Sequence, residues 1–120
     1  MTHRIDFVPA TRRDIEAFYG PEFRWTFRAW AAKLGDETLG VGGLYYTPEH
    51  VIAFSSFTPK MKEFPLAMAR GVKKIMAIVG NRPCFAIADE NIPDAPKLLE
   101  RLGFEHIEGR IYRWAKKSKP

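Results

Sequence analysis

The sequence predicts an α+β domain whose elements follow the order β-α-β-β-β-α-β-α-β-β, and three observations predict it. Between Trp25 and Phe57, apolar and β-prone residues fall in short runs separated by turn residues. From Pro65 to Val79 the apolar spacing changes to three and four, the period of a helix with one buried face. A second helical stretch, Pro93 to Leu102, stops at Gly103 and gives way to two short strands.

Taken in order, Ile5, Phe7 and Val8 lie in a first strand. Thr11 then stands as an N-cap for a helix over Arg12 to Tyr19, whose Ile15, Phe18 and Tyr19 share a face, and Gly20-Pro21 ends it. Trp25, Phe27, Ala29, Trp30 and Ala32 mark a strand from Trp25 to Leu34. Gly35-Asp36-Glu37 supplies the turn into Thr38 to Tyr46, and Thr47-Pro48-Glu49-His50 the turn into Val51 to Phe57, which makes an antiparallel meander. Pro65 suits the first turn of the following helix, and Leu66, Met68, Ala69, Val72, Ile75, Met76 and Val79 form its buried face. Gly80-Asn81 stops that helix. The compact apolar run from Pro83 to Ala88 reads as a strand buried on both faces, ended by Asp89. Asn91 or Asp94 can cap the helix from Pro93, and Phe104 to Ile107 pairs with Arg110 to Trp114 around Gly109.

With 120 residues, 46% of them hydrophobic, the chain can bury the core of one domain, taken as residues 1–115. No run approaches the roughly 18 apolar residues of a membrane span, and Met1-Thr2-His3-Arg4 leads into a strand, so the expectation is a cytoplasmic protein without a membrane partner. The single cysteine, Cys84, excludes an internal disulfide and a multi-cysteine zinc site. His3, His50 and His106 are widely separated, so no metal is expected. The net charge of +5 is partly that of Lys116, Lys117 and Lys119 in a basic tail, 116–120, expected to be disordered. The remaining cations alternate with Asp and Glu, which argues against a nucleic-acid stripe and fits an anionic small ligand equally well.

The run Ala95-Pro96-Lys97-Leu98-Leu99-Glu100-Arg101-Leu102-Gly103-Phe104 resembles the closing helix of the GNAT superfamily of acyl-CoA-dependent N-acetyltransferases. Its usual form is Ala, two variable residues, Leu-Tyr, three more, then Gly-Phe. Phe7-Val8-Pro9-Ala10-Thr11 with Arg13-Asp14-Ile15 is similar to the opening strand and helix of that family, and Asp36 to Gly43 to its hairpin. The resemblance covers Arg4 to Trp114. It implies a mixed, mostly antiparallel central sheet with helices on both faces, acetyl-CoA or another acyl-CoA as co-substrate, an amine acceptor of unspecified kind, and a possible homodimer.

In that family the cofactor motif is Arg or Gln, two variable residues, Gly, one more, then Gly or Ala, at the start of the helix after the fourth strand. Counted from Pro59, it falls on Lys62-Glu63-Phe64-Pro65-Leu66-Ala67, where Pro65 replaces a glycine and removes an N–H. Unpaired amides at a helix N-terminus would hold the pyrophosphate. The resemblance therefore assigns Phe57, Thr58, Lys60, Lys62, Phe64, Leu66, Ala67 and, from the facing loop, Asn91 to the cofactor. The alternative is that Pro65 starts a core helix and the lysines are solvated.

The reaction the resemblance implies is direct attack of an amine on the thioester carbonyl, with a base taking the amine proton and an acid serving the thiolate. The usual acid is a tyrosine of the closing helix, and the aligned residue here is Leu99. Tyr45, Tyr46 and Tyr112 are the other hydroxyls considered. Glu90 and Asp89, after the strand that should splay from Val51 to Phe57, are the candidate bases; the alternative is that both are loop carboxylates. Alternation turns Ser55 or Ser56 inward, and Ser55 is the catalytic candidate of the two. Phe23, Trp25, Phe27 and Trp30 are candidates for an acceptor pocket between the first helix and the hairpin. Cys84 reads as packing.

Overall fold

Where the sequence alternates, the chain forms strands, and the turn residues set their joints. A computed structural model describes residues 4–80, 82–88 and 93–114. The strands are β1 (Ile5–Pro9), β2 (Thr26–Leu34), β3 (Glu37–Tyr46), β4 (Val51–Phe57), β5 (Phe85–Ile87), β6 (Phe104–Glu108) and β7 (Ile111–Trp114). The helices are α1 (Arg12–Tyr19), α2 (Pro65–Val79) and α3 (Ala95–Leu102), with a 3-10 helix over Pro59–Glu63. The seven strands form one sheet in the order β1-β2-β3-β4-β5-β7-β6. Every pairing is antiparallel except β4 with β5, which are parallel because α2 carries the chain across between them.

Helices cover both faces. α1 opens with a capping box in which Thr11 Oγ accepts from the Asp14 N–H and Asp14 accepts from the Thr11 N–H. It presses Ile15 against Ala29, Ala31 and Val41 of β2 and β3. The opposite face carries α2 and α3: Ile78 and Val79 of the first and Ala95 of the second share a cluster with Leu44, Ala53, Ala86, Phe104 and Tyr112. The N-terminal half of α2 buries Ala67 in a further cluster with Ile5, Ala32 and Leu39.

The register is exact except at two bulges. Between Ala32 and Lys33 the pairing skips from Gly40 to Thr38, so Leu39 is the extra residue. This turns Leu39 toward Met61 and Ala67 while Thr38 faces α1. The second bulge, between His106 and Glu108, precedes the turn at Gly109 (φ +52°), whose carbonyl accepts from His106 Nε2 at 2.8 Å.

Three expectations change. Leu66 and Ala69, expected on the buried face of α2, are exposed, because the face turned to the sheet runs through Ala67, Ile75, Ile78 and Val79. β5 orders only over Phe85–Ile87 and is buried on one face rather than both, since Ala86 lies in the core while Ile87 is 51% exposed. The helix expected from Pro93 begins at Ala95, and Asp94 at its N-cap makes no side-chain capping bond. Pro96 sits in the first turn, where its missing N–H removes no intrahelical bond. Residues 116–120 lie outside the described residues. Among the described residues no helix is long and apolar enough to cross a membrane.

Candidate functional site

The parallel pair is short. β4 and β5 match only at Ile52 with Phe85 and Ala53 with Ala86, after which β4 runs on through Phe57 while β5 stays with β7 at Ile87 and Ile111. Beyond that point lies a cavity of about 550 Å³. Its floor includes Ser55 and Phe57 of β4, its α2 wall Met68, Val72 and Ile75, and its α3 wall Leu98 and Leu99. The charged residues lining it are Lys62, Asp94, Lys97 and Arg101, all exposed, so three cations and one carboxylate stand on its solvent side above an apolar interior.

Strand alternation decides between the two serines. Ser55 lines the cavity, whereas Ser56 turns to the α1 face and shares a 2.6 Å hydrogen bond with the Tyr19 hydroxyl. Phe57 and Lys62 also line the cavity. The rest of the expected cofactor loop behaves differently. Residues 59–63 wind into the 3-10 helix, where Met61 N–H donates to Thr58 O at 3.0 Å and Phe64 N–H to Met61 O at 2.9 Å. Those amides are consumed within the chain. Met68 N–H already reaches Phe64 O, and Pro65 has no N–H, so helix geometry leaves only the Leu66 and Ala67 amides at the start of α2 without an intrahelical acceptor.

Side chains of the same loop divide accordingly. Lys60 pairs with Glu37 at 3.1 Å, and Phe64 packs against the Ile5–Leu39–Met61 cluster rather than over the cavity. Leu66 is 77% exposed and Ala67 is buried beneath it. Thr58 donates its N–H to Leu39 O at 2.8 Å, and its buried hydroxyl has no hydrogen-bond partner. Asp89, Glu90 and Asn91 lie outside the described residues.

The tyrosines considered as acids fall elsewhere. Tyr45 is on the α1 face in an aromatic cluster with Phe23 and Phe54, where burial pushes its phenol pKa up. Tyr112 is a core residue stacked near His106. Tyr46 packs at the edge of that core. Leu99 holds the wall position where the resemblance would put a tyrosine, and it contributes only carbon. Burial raises the Cys84 thiol to about 11, against the opposing pull of Arg82, so it is not a nucleophile at neutral pH.

The expected acceptor pocket is split. Phe23 and Phe27 contact each other on the α1 face beneath the Arg12 guanidinium, which lies 5.1 Å from the Phe27 centroid and donates to the Phe23 and Trp25 carbonyls. Trp30 lies on the other face, its ring 4.4 Å from Lys74 Nζ of α2. The reason is the two-residue period of β2: positions 27 and 30 differ by three and point oppositely.

Lys97 and Arg101 are cavity residues that the sequence reading did not single out. Their signal was the spacing: 94, 97, 98 and 101 fall on one face of a helix. Among the described residues no group of His, Cys, Asp or Glu is placed to hold a metal ion. Compared with known proteins, the chain matches no family model, no curated protein and no solved structure.

Proposed function

We propose that this chain is a divergent acyl-CoA-dependent N-acyltransferase of the GNAT superfamily, with the acyl thioester bound in the cleft where β4 and β5 part. The observation that carries this reading is the cleft itself: an apolar trough at a diverging parallel pair, bordered by Lys62, Lys97 and Arg101. An anionic ligand with an extended, largely apolar arm matches both its charge and its walls. In this reading the Leu66 and Ala67 amides, at the positive end of the α2 dipole, take one phosphate group beside the cavity, which neither residue lines.

In the proposed reaction the acceptor nitrogen attacks the thioester carbonyl, a C–N bond forms, the C–S bond breaks and the thiolate leaves. Ser55 Oγ is the wall hydroxyl able to donate to the thioester carbonyl. Glu90 and Asp89 remain the proposed bases. With Leu99 on the wall, the thiolate takes its proton from water.

A second reading, a catalytically degenerate domain of the same fold acting as a binding or structural module, draws on two observations: Leu99 in place of an acid, and a 3-10 helix that consumes the amides of the cofactor loop. Thermal unfolding with acetyl-CoA separates the two. Ligand at 100 times its dissociation constant stabilises the native state by about 2.7 kcal/mol, so no shift at millimolar acetyl-CoA removes the transferase reading and leaves the second. A shift without acetyl transfer to any polyamine, amino acid or peptide acceptor favours the second reading.

A further inference from the structure

The cleft does not end under α2. A second cavity of about 90 Å³ adjoins it between α2 and the sheet, and Ser55, Phe57, Met68, Val72, Ile75 and Leu98 line both. No charged residue lines this space, and Phe7, Trp30 and Met61 line it beyond the shared residues. Glycines let the wall stand where it does. A Cβ on Gly42 would lie 2.3 Å from Ile75 Cδ1, and one on Gly71 would lie 3.1 Å from the Phe7 ring. Either substitution would force a neighbouring side chain to move.

The polar and apolar parts of this channel are ordered along its length. The cations Lys62, Lys97 and Arg101 line only the outer cavity, Ser55 lies at the junction, and carbon lines the inner end. We infer that the acyl group admitted to the cleft is an unbranched chain longer than acetyl, its carbonyl near Ser55 and its tail in the inner cavity beneath α2. This rests on the acyl-CoA reading above and names its substrate class. Charge complementarity selects an anionic carrier at the outer end, and the shape selects the tail: an apolar cavity of ~150 Å³ accepts a benzene ring, so this smaller space opening from a cleft suits a single chain end. Met61 and Met68, being unbranched and flexible, let the walls adapt to it.

The test is calorimetric titration of the full chain with CoA, acetyl-CoA, butanoyl-CoA, hexanoyl-CoA and octanoyl-CoA. Each methylene that leaves water contributes roughly a fourfold gain in affinity, so the dissociation constant should fall at least tenfold from acetyl to hexanoyl and level off when the cavity is full. In Gly71→Val, which fills the inner space alone, the hexanoyl-to-acetyl ratio should collapse toward one. Equal affinities across the series in the unaltered protein would overturn the inference and leave the acyl-CoA reading standing. A gain undiminished in Gly71→Val would overturn it too, because the tail would then lie elsewhere. No binding of any CoA species would overturn the acyl-CoA reading and the inference with it.

Discussion

The two faces of the sheet are built to different ends. Under α1 the contact is filled: Ile15 is fully buried on Ala29, Ala31 and Val41, and Tyr19, Phe23, Phe27, Tyr45 and Phe54 pack edge to face beside it. Even its polar groups are satisfied, since Asp14 takes hydrogen bonds from Lys33 Nζ at 2.7 Å, Thr11 N–H and the Thr38 hydroxyl. Under α2 and α3, a cleft and its extension remain open and cations stand exposed beside them. Empty space in a core costs stability, because lining atoms lose contacts. A domain this small can keep such space on one face only if the other face holds the sheet firmly, so substitutions under α1 should reduce stability and those under α2 should alter ligand affinity.

The largest effect expected under α1 is at Gly43. A Cβ there would come within 2.1 Å of Arg28 O and 2.6 Å of Ala29 Cα, both backbone atoms of β2 that cannot step aside singly. Gly43→Val should cost about 4 kcal/mol or more and leave little folded protein, read by urea denaturation or soluble yield. A fold that survives unchanged would mean that the β2–β3 contact is looser than the register implies.

Next comes Asp14. The residue is 8% exposed, and its carboxylate both caps α1 and pairs with Lys33. Burial alone would raise its pKa, but the hydrogen bonds from Lys33 and Thr11 and the Lys33 charge outweigh it, and the pKa lies below the ordinary 3.8. A depressed folded pKa gives stability that is fully present above the unfolded value and is lost as pH falls through the lower folded value. Asp14→Ala should cost about 3 kcal/mol at neutral pH, and the gap to the unaltered protein should narrow below about pH 4. A constant gap across that window would show that the effect is packing rather than charge. A smaller loss, about 1 kcal/mol, is expected for Tyr19→Phe, which removes the hydrogen bond to Ser56 and keeps the ring; thermal denaturation reads it, and acyl-CoA affinity should not change.

The sequence carried the sheet and the long helix because alternation and the three-to-four period are local signals. Val51–Phe57 and Pro65–Val79 fall where the pattern puts them. It carried the site less well. The 3-10 helix depends on Met61 finding the Leu39 cluster, and Leu39 faces that way only through a one-residue bulge that no local pattern marks. The same tertiary contact draws Phe64 away from the cleft. Trp30 departs from the expectation for a simpler reason: the aromatic run does not form one group, because strand alternation separates positions 27 and 30. The exposure of Ile87 follows from helix placement, since α2 and α3 cover only one side of β5. Lys97 and Arg101 were legible as a helical face, and only the fold shows that this face borders the cleft.

An amide NMR titration with acetyl-CoA reads both faces of the sheet in one experiment. The account predicts progressive, saturable shifts at Ser55, Lys62, Leu66, Ala67, Lys97 and Arg101, with Ile15, Lys33, Val41 and Tyr45 on the α1 side unmoved. Shifts confined to the α1 side, or none at millimolar acetyl-CoA, would contradict it.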